Sequence, residues 1–197
     1  MRMSGNRTLV TGAASRIGKS AVSAFLQEGV KVIAADLTYA DSTCPNGGAA
    51  IELHLDITNP GDWDRLLERA GPLDALVACA GVSQTSSIME TSIDDWHRVI
   101  MVNLDGVFLS LKYAARAVKK GSIVVVASAS GVNASVSPAA VLPMWLGMPF
   151  WKDLVRQPSV QRMAFPEEIA DAIVFLSCGR SARITGADLA IDAGYTA

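Results

Sequence analysis

The stretch that decides the fold is Thr11-Gly12-Ala13-Ala14-Ser15-Arg16-Ile17-Gly18. It lies between a short apolar run, Thr8-Leu9-Val10, and an amphipathic segment from Ser15 to Glu28. This pattern predicts a strand, a tight turn and a helix. Glycine lets the backbone approach a pyrophosphate closely, and a helix N-terminus offers free N–H groups and a positive dipole end. The sequence therefore predicts a phosphate-binding turn, with an ordinary tight turn as the alternative.

The residue that closes the second predicted strand indicates which nucleotide the turn would hold. Asp36 follows the buried run Lys31–Ala35, about 20 residues beyond the turn, where a carboxylate accepts the ribose hydroxyls of an adenosine. The same charge repels a 2′-phosphate, so we expect NAD(H) rather than NADP(H). A solvated strand-end acid is the alternative for Asp36. Arg16 is the counter-indication, because a basic side chain in the turn can bind a 2′-phosphate as well as a pyrophosphate.

The rest of the chain alternates short apolar runs with amphipathic segments. Further strands are predicted at Ala50–Leu55, Leu73–Cys79, Ser122–Ala127 and Ala187–Asp192, and further helices after Asn59, from Ser92 to about Val118, and from Pro166. Continuous apolar strands suit a parallel sheet that is buried on both faces. We therefore expect an α/β fold with a doubly wound parallel sheet of the Rossmann type, in three layers and one domain over residues 1–197.

Composition excludes several classes of protein. The 197 residues are 50% hydrophobic and 18% charged, with a net charge of -2, which gives no reason to expect nucleic acid or an anionic membrane as partner. No run approaches the roughly 20 apolar residues of a bilayer helix, and the first residues do not resemble a signal peptide. The three cysteines and two histidines favour neither a metal site nor a disulfide framework. We expect a cytoplasmic protein whose Cys79 serves packing, with a Cys–His nucleophile as the alternative.

With these features, the chain resembles the classical short-chain dehydrogenase/reductase family. The family's TGxxxGxG turn matches Thr11–Gly18, with Arg16 at the usual middle glycine. Asp56-Ile57 resembles the acidic–aliphatic pair that meets the adenine, and Ala78-Cys79-Ala80-Gly81 resembles NNAG with both asparagines replaced. The resemblance implies that the cofactor-binding residues are Gly12, Ser15, Arg16, Ile17, Gly18, Asp36, Asp56, Ile57, Ala80 and Gly81.

The resemblance also implies two catalytic residues. Asn103 matches the asparagine that interrupts the family's long helix and orders a water in a proton relay; a polar residue on the helix surface is the alternative. Ser128 matches the strand-end serine that holds the substrate oxygen, with Ser130 as a competitor and an ordinary strand-end serine as the alternative. Toward the C-terminus the segments Phe165–Ala170, Ile184–Gly186 and Asp192–Gly194 resemble the family as well.

The family's YxxxK motif, which supplies the acid–base tyrosine, has no counterpart. No tyrosine lies between Tyr113 and Tyr195, and Lys152 is the only lysine after Lys120. The helix that carries the motif and the sixth strand are also missing, so we expect roughly three to four dozen residues to be absent around positions 137–142. The final strand would then lack its neighbour. Either the molecule possesses this segment and the sequence omits it, which we favour, or the protein is a deletion.

The main hypothesis is an NAD(H)-dependent oxidoreductase that interconverts a secondary alcohol, or a cyclic dihydrodiol, and a ketone by hydride transfer. A catalytically inactive dinucleotide-binding protein, such as a sensor or scaffold, is the alternative, and a structural subunit is a third. Residues 143–163 are expected to form an apolar lid over the substrate, with core packing or a subunit interface as the alternative. The resemblance further implies a homo-oligomer, a dimer or tetramer, and a small hydroxy or keto substrate.

Overall fold

The structure, a computed structural model, describes residues 3–40, 50–84, 86–128, 162 and 164–192. Its strands and helices alternate along the chain. The strands are β1 (Arg7–Thr11), β2 (Lys31–Asp36), β3 (Ala50–His54), β4 (Leu73–Ala78) and β5 (Val118–Val125). The helices are α1 (Arg16–Gln27), α2 (Pro60–Ala70), α3 (Ile93–Ile100), α4 (Val107–Ala117) and α5 (Pro166–Ser177), with a π-helix (Met101–Gly106) between α3 and α4 and a 3₁₀ turn (Gly179–Ser181) after α5.

The strands of the described part form one parallel sheet in the order β3-β2-β1-β4-β5. β1 is central, because its Thr8 is in register with Val32 of β2 and with Ala75 of β4. The chain first builds the sheet outward from β1 through β2 and β3, and then crosses back to add β4 on the other side. Ligands of such sheets bind at the carboxyl ends of the strands where the order reverses. This topology places the candidate site after β1 and β4.

Helices cover both faces of the sheet. Leu9 and Leu76 belong to the core layer that contains the buried residues of α2 and α4. Val10 and Val77, one position further along the same strands, belong to the layer with α1 and α5. Because successive strand residues point to opposite faces, both layers draw on the same continuous apolar runs. The expected three-layer α/β architecture is confirmed.

The helix starts that were predicted from capping residues are confirmed. Asn59 caps α2 by accepting the N–H of Gly61 at 2.9 Å, with Pro60 in the first helical position. Ser92 caps α3 by accepting the N–H of Asp95 at 3.0 Å. Each cap satisfies an N–H group that has no acceptor inside its helix.

The long helix predicted from Ser92 to about Val118 is helical as far as Ala117, with the π-helix around Asn103, where the resemblance implies an interruption, and β5 begins at Val118 rather than at Ser122. One predicted element is wrong in the described residues. The segment Ala187–Asp192 is not a strand: it is irregular, and its Leu189 side chain is 54% exposed. A strand needs a hydrogen-bonded neighbour, and none of the described residues supplies one beyond β5.

Three expectations fall largely outside the described residues. These are the missing segment around 137–142, the apolar lid over 143–163, and Ser130 as the competitor of Ser128. They stay predictions.

Candidate functional site

The turn after β1 is packed so closely that its glycines have no room for a side chain. Gly12 has φ +67°, and a Cβ on it would lie 2.7 Å from the Cα of Ala80. A Cβ on Gly18 would lie 2.1 Å from the carbonyl oxygen of Gly12. The Ser15 hydroxyl donates to that carbonyl at 2.6 Å and accepts the Gly18 N–H at 3.3 Å. The two glycines therefore allow β1, α1 and the loop after β4 to meet.

Thr11 joins this turn to the end of β4. Its hydroxyl is fully buried and accepts the N–H groups of Cys79 at 3.1 Å and Ala80 at 3.2 Å. These contacts hold Ala80 beside the glycine turn. The cofactor role of Ala80 and of the following Gly81 stays a prediction. Thr11 itself was not among the predicted site residues. The sequence feature that indicates Thr11 is its position directly before Gly12, where a side-chain hydroxyl can reach the end of the neighbouring strand.

The N-terminus of α1 faces the same edge of the sheet. Ser15 is its capping residue, and Arg16 and Ile17 are its first two helical positions. The N–H groups of a first helical turn have no acceptor within the helix, and the helix dipole is positive there. The exposed side chain of Arg16 adds a cation. This end of α1 therefore suits an anionic group such as a pyrophosphate.

Asp36 extends from the end of β2 to the glycine turn. One carboxylate oxygen accepts the N–H of Ala14 at 3.0 Å, and the other accepts the N–H and the hydroxyl of Thr38 at 2.9 and 2.8 Å. A carboxylate has about four acceptor positions, so a position remains for a ligand hydroxyl. Asp36 thus brings a negative charge to the turn across 22 residues of sequence.

The turn after β3 contains the second predicted acidic residue. The Asp56 carboxylate accepts the N–H and the hydroxyl of Thr58 at 2.9 and 2.7 Å. Ile57 is only 6% exposed. Its Cδ1 would lie 2.6 Å from a Cβ on Gly106. The structure therefore places the Ile57 side chain in the core beneath the turn, whereas Asp56 stays at its partly buried edge.

Asn103 lies in the π-helix and is fastened to the loop after β4. Its amide nitrogen donates to the carbonyl of Val82 at 2.8 Å, and its amide oxygen accepts the N–H of Val82 at 2.8 Å. A Cβ on Gly81 would come within 3.4 Å of the same amide oxygen. The side chain thus supports the loop that Gly81 begins. Its predicted role in ordering a water stays a prediction.

Ser128 lies three positions beyond β5, at the carboxyl edge of the sheet, and is exposed. The N–H of Val126 donates to the carbonyl of Ala78 at 2.9 Å, which keeps the chain beside β4 until shortly before Ser128. Because all described strands are parallel, the residues after β1, β2, β4 and β5 meet at one edge. That edge collects most of the predicted site residues.

Cys79 directly follows β4 and lies beside the Ser15 hydroxyl. Burial raises the pKa of its thiol to about 11, and the hydrogen bond with Ser15 offsets only part of this effect. The thiolate is the nucleophilic form of cysteine. Because the thiol stays protonated at neutral pH, the site does not favour the Cys–His alternative.

Metal-binding clusters and membrane-spanning helices are both absent from the described residues. In these ranges, no group of three or more histidine, cysteine, aspartate or glutamate side chains is arranged to hold a metal ion. Nor does any helix there have the length and apolarity to cross a bilayer. The groups of the candidate site are backbone N–H groups, hydroxyls, carboxylates, the Asn103 amide and the exposed Arg16.

Comparison with known proteins identifies relatives of the chain. The sequence model of the family described as short chain dehydrogenase matches residues 6–140. The chain is 32% identical to cis-4-hydroxycyclohexanecarboxylate dehydrogenase of Sinomonas cyclohexanicum, over 96% of each protein. It is 28% identical to meso-2,3-butanediol dehydrogenase of Serratia marcescens, over 100% of this chain and 97% of the relative.

Solved structures agree with this relationship. A short-chain dehydrogenase/reductase (glucose/ribitol dehydrogenase) from Brucella melitensis superposes with a TM-score of 0.85 at 25% identity, over 98% of each chain. A mutant short-chain dehydrogenase/reductase from Serratia marcescens gives a TM-score of 0.84 at 25% identity, over 100% of each chain.

The chain is internally shorter than the butanediol dehydrogenase. The alignment with that relative has 244 positions, whereas the chain has 197 residues, so at least 47 positions have no counterpart here. Since the match includes 100% of this chain, those positions fall within the matched span. Their placement around 137–142 stays a prediction.

Proposed function

The chain belongs to the short-chain dehydrogenase family, a family of oxidoreductases that act on CH–OH groups, and from this premise we propose that it binds NAD(H) at the carboxyl edge of its sheet. One observation carries the proposal: the Asp36 carboxylate accepts the N–H of Ala14 at 3.0 Å. This contact brings a ribose-binding carboxylate against a phosphate-binding turn. The glycine turn and the N-terminus of α1 would hold the pyrophosphate, and Asp36 would hold the adenosine ribose.

The preference for NAD(H) over NADP(H) depends on the charges near that ribose. Asp36 would accept its hydroxyls and repel a 2′-phosphate. Arg16, at the first position of α1, is the opposing charge, and we assign it to the pyrophosphate because the helix N-terminus would bind that group. Asp56 would lie toward the adenine, next to the ribose site.

The proposed reaction interconverts a secondary alcohol and a ketone. When bound, a nicotinamide ring supplies the hydride acceptor or donor. The loop after β4, with Ala80 and Gly81, would lie against the ribose of the nicotinamide half. Asn103 holds that loop by its two hydrogen bonds with Val82. Ser128 would hold the substrate oxygen by a hydrogen bond. The relatives named above act on diols and ring alcohols by their names, which makes such alcohols the first substrates to try.

An inactive dinucleotide-binding protein is the second candidate. Two observations favour it: no tyrosine lies between Tyr113 and Tyr195, and at least 47 positions of the relative's 244-position alignment have no counterpart in these 197 residues. Without an acid–base group beside Ser128, the oxygen of the substrate would have no side chain with which to exchange its proton. Such a chain would bind the dinucleotide without turning it over.

Binding and turnover assays on the full chain separate the two candidates. We expect NADH, followed by its fluorescence, to bind at least about tenfold more tightly than NADPH, and Asp36→Asn to remove that preference. Absorbance assays would use NAD⁺ with meso-2,3-butanediol and cis-4-hydroxycyclohexanecarboxylate, with Cys178→Ser as a control distant from the turn. Binding with turnover supports the dehydrogenase, binding without turnover supports the second candidate, and no binding of either dinucleotide overturns both.

Oligomeric state and location belong to the same proposal. Helices α3 and α4 and the π-helix between them expose large apolar side chains, among them Trp96 at 51%, Leu104 at 61% and Phe108 at 62%. Because soluble monomers rarely expose such continuous apolar surface, we propose that these helices form the contact of a homo-oligomer. Three cysteines at unrelated spacings suit a reducing compartment, which favours the cytoplasm.

A further inference from the structure

The loop after β4 is fastened by a second side chain besides Asn103. Asn103 binds the loop at Val82, and Arg98 of α3 binds it at the next two residues. The Nη2 atom of Arg98 donates to Oε1 of Gln84 at 2.7 Å and to the backbone oxygen of Ser83 at 3.4 Å. Two side chains therefore hold three successive residues of this loop.

The Gln84 amide connects Arg98 to the far end of the loop. Its Nε2 atom donates to the Ser86 hydroxyl at 3.0 Å, and the Ser86 and Thr91 hydroxyls lie 2.9 Å apart. The Thr91 hydroxyl donates to the carbonyl of Ser87 at 2.8 Å. A hydroxyl has one proton, so Ser86 is the donor to Thr91. Hydrogen bonds thus connect Arg98 to the residue directly before the cap of α3.

The type of helix explains how Arg98 and Asn103 reach the same loop. They are five positions apart, which in an α-helix leaves two side chains about 140° apart around the axis. The π-helix that begins at Met101 has hydrogen bonds between residues five apart. A wider turn of this kind brings such residues closer to one face, and here that face is directed at the loop.

The contact between Arg98 and Gln84 is of a strong type. An arginine donates through a planar, charged guanidinium, and hydrogen bonds from a charged donor are roughly twice as strong as those between neutral groups. Asp95, one turn earlier on α3, lies 3.9 Å from the same Nη2 atom. The carboxylate helps to keep the guanidinium beside the loop.

The loop is held at its start as well, next to the proposed cofactor site. The Thr11 hydroxyl accepts the N–H of Ala80 at 3.2 Å. Gly81 thus lies between the contact from Thr11 and the contacts from Arg98. The proposed function places Ala80 and Gly81 against the ribose of the nicotinamide half. The contacts of Arg98 therefore belong to the nicotinamide side of the proposed site.

We propose that Arg98 and Gln84 are positioning residues that hold the loop after β4 in the shape that receives the nicotinamide half of a dinucleotide. This inference rests on the proposed function. The sheet order places β2 and β4 on opposite sides of β1, so the adenosine half, assigned to Asp36 after β2, does not depend on this contact. Loss of the contact weakens a ligand that includes the nicotinamide and its ribose, and spares a ligand that lacks them.

Calorimetric titrations of the full chain with NADH and with ADP test this division. ADP has the adenosine and the pyrophosphate but lacks the nicotinamide and its ribose. We expect Arg98→Ala to weaken NADH binding about tenfold, within the usual range of coupling between sites. The affinity for ADP should change by less than about twofold, as for independent sites.

A second substitution tests whether Arg98 acts through Gln84. Gln84→Ala should cause the same selective loss, and the double variant should lose little more than either single one, because both remove one contact. Arg98→Lys should recover part of the affinity, since an ammonium group can still donate to the amide oxygen of Gln84. Arg116→Ala is the control for charge: Arg116 lies in the last turn of α4, over the ring of Tyr113, and its loss should leave both affinities unchanged.

Hydrogen exchange of the free protein gives a measurement that needs no ligand. Mass spectrometry of peptides that span residues 80–91 should show faster exchange in Arg98→Ala and in Gln84→Ala than in the unchanged chain. Melting curves and far-ultraviolet spectra would establish that each variant folds. If Arg98→Ala does not fold, Gln84→Ala provides the comparison of NADH with ADP.

The outcomes separate this role from the proposed function. Equal losses of NADH and ADP affinity, an unchanged affinity for NADH, or unchanged exchange of the loop in these variants overturns the positioning role alone. Failure of the unchanged chain to bind either NADH or ADP overturns the proposed function, and the positioning role with it.

Discussion

Single atoms decide whether the turn after β1 can form. A methyl group on Gly18 would lie 2.1 Å from the carbonyl oxygen of Gly12, which is backbone and cannot move aside cheaply. The proximity depends on the fold of the whole turn, although both glycines are visible in the sequence. A substitution of Gly18 therefore tests how tightly the turn is packed.

Gly18→Ala should destabilise the protein although Gly18 lies inside α1. Alanine normally favours a helix over glycine by about 1 kcal/mol. Here we expect the clash to lower the free energy of unfolding by about 1–3 kcal/mol, measured by urea denaturation. Gly179→Ala is the matched control, because a Cβ there meets nothing within 4 Å; its effect should stay within about 0.5 kcal/mol. Equal effects of the two substitutions would contradict the packing described for the turn.

Cys79 should be slow to react with alkylating reagents at neutral pH. Its pKa of about 11 leaves roughly one thousandth of the thiol as thiolate at pH 8. Mass spectrometry of the labelled peptide should show a rate that rises about tenfold per pH unit between pH 7 and pH 10. Ser15→Ala removes the hydrogen bond that lowers the pKa, so it should slow labelling further. A rate that is independent of pH in this range would show that the thiol is not in the described environment.

The start of α5 shows how a helix end can depend on a contact that precedes it. Arg162 donates to both carboxylate oxygens of Glu168 at 2.6 and 2.7 Å, and the N–H of Phe165 donates to the same carboxylate at 2.8 Å. These contacts, led by the hydrogen bond from Arg162, lower the pKa of Glu168 from 4.5 to about 2. The ionised carboxylate of Glu168 thus binds both Arg162, which precedes the helix, and Phe165, the residue directly before its first turn.

Glu168→Gln should lower the melting temperature at pH 7, and the difference should shrink in acid. A carboxyl group whose pKa is lowered by folding stabilises the folded state above its ordinary pKa of 4.5, and this contribution is lost as the pH falls toward about 2. Melting curves at pH 7, 5 and 3 would follow the loss. Glu167→Gln, at the adjacent position and without the Arg162 pair, is the control and should show a smaller change at pH 7. A difference between wild type and Glu168→Gln that grows in acid would be inconsistent with the pair.

At the scale of the whole molecule, an exposed apolar surface follows α3, the π-helix and α4. Ile93, Trp96, Met101, Leu104, Phe108 and Leu111 are all at least 38% exposed. The separations of three to five residues place them along one side of the joined helices. A surface of this kind is the expected contact between two copies of the chain, by the proposal of a homo-oligomer.

Phe108→Glu should convert the proposed oligomer to a monomer. A carboxylate buried in an apolar interface without a partner costs several kcal/mol, and in a symmetric contact both copies would contribute this cost. Light scattering coupled to size-exclusion chromatography would give the mass. Leu189→Glu is the control, because Leu189 is 54% exposed but lies outside this surface. A monomeric wild-type protein, or an unchanged mass for Phe108→Glu, would remove these helices as the contact.

Much of the fold follows from signals that are local in the sequence. The β1 turn is predicted by its glycines, and the starts of α2 and α3 by Asn59 and Ser92, because each signal acts on backbone within a few residues. The prediction of a strand at Ala187–Asp192 is wrong for the opposite reason. Its apolar residues are compatible with a strand, but strand formation requires a neighbour, and whether one exists is decided elsewhere in the chain.

The sequence by itself determined the glycine-rich turn after β1, the alternation of elements and the burial of the sheet on both faces, since periodicity and glycine geometry are properties of short segments. Only the tertiary structure decided which distant groups meet: Asp36 with Ala14, Thr11 with Ala80, and Asn103 with Val82. The tertiary structure also placed the Ile57 side chain in the core beneath the site. Such contacts depend on strand order and register, which bring together carboxyl ends of strands that are far apart in the chain.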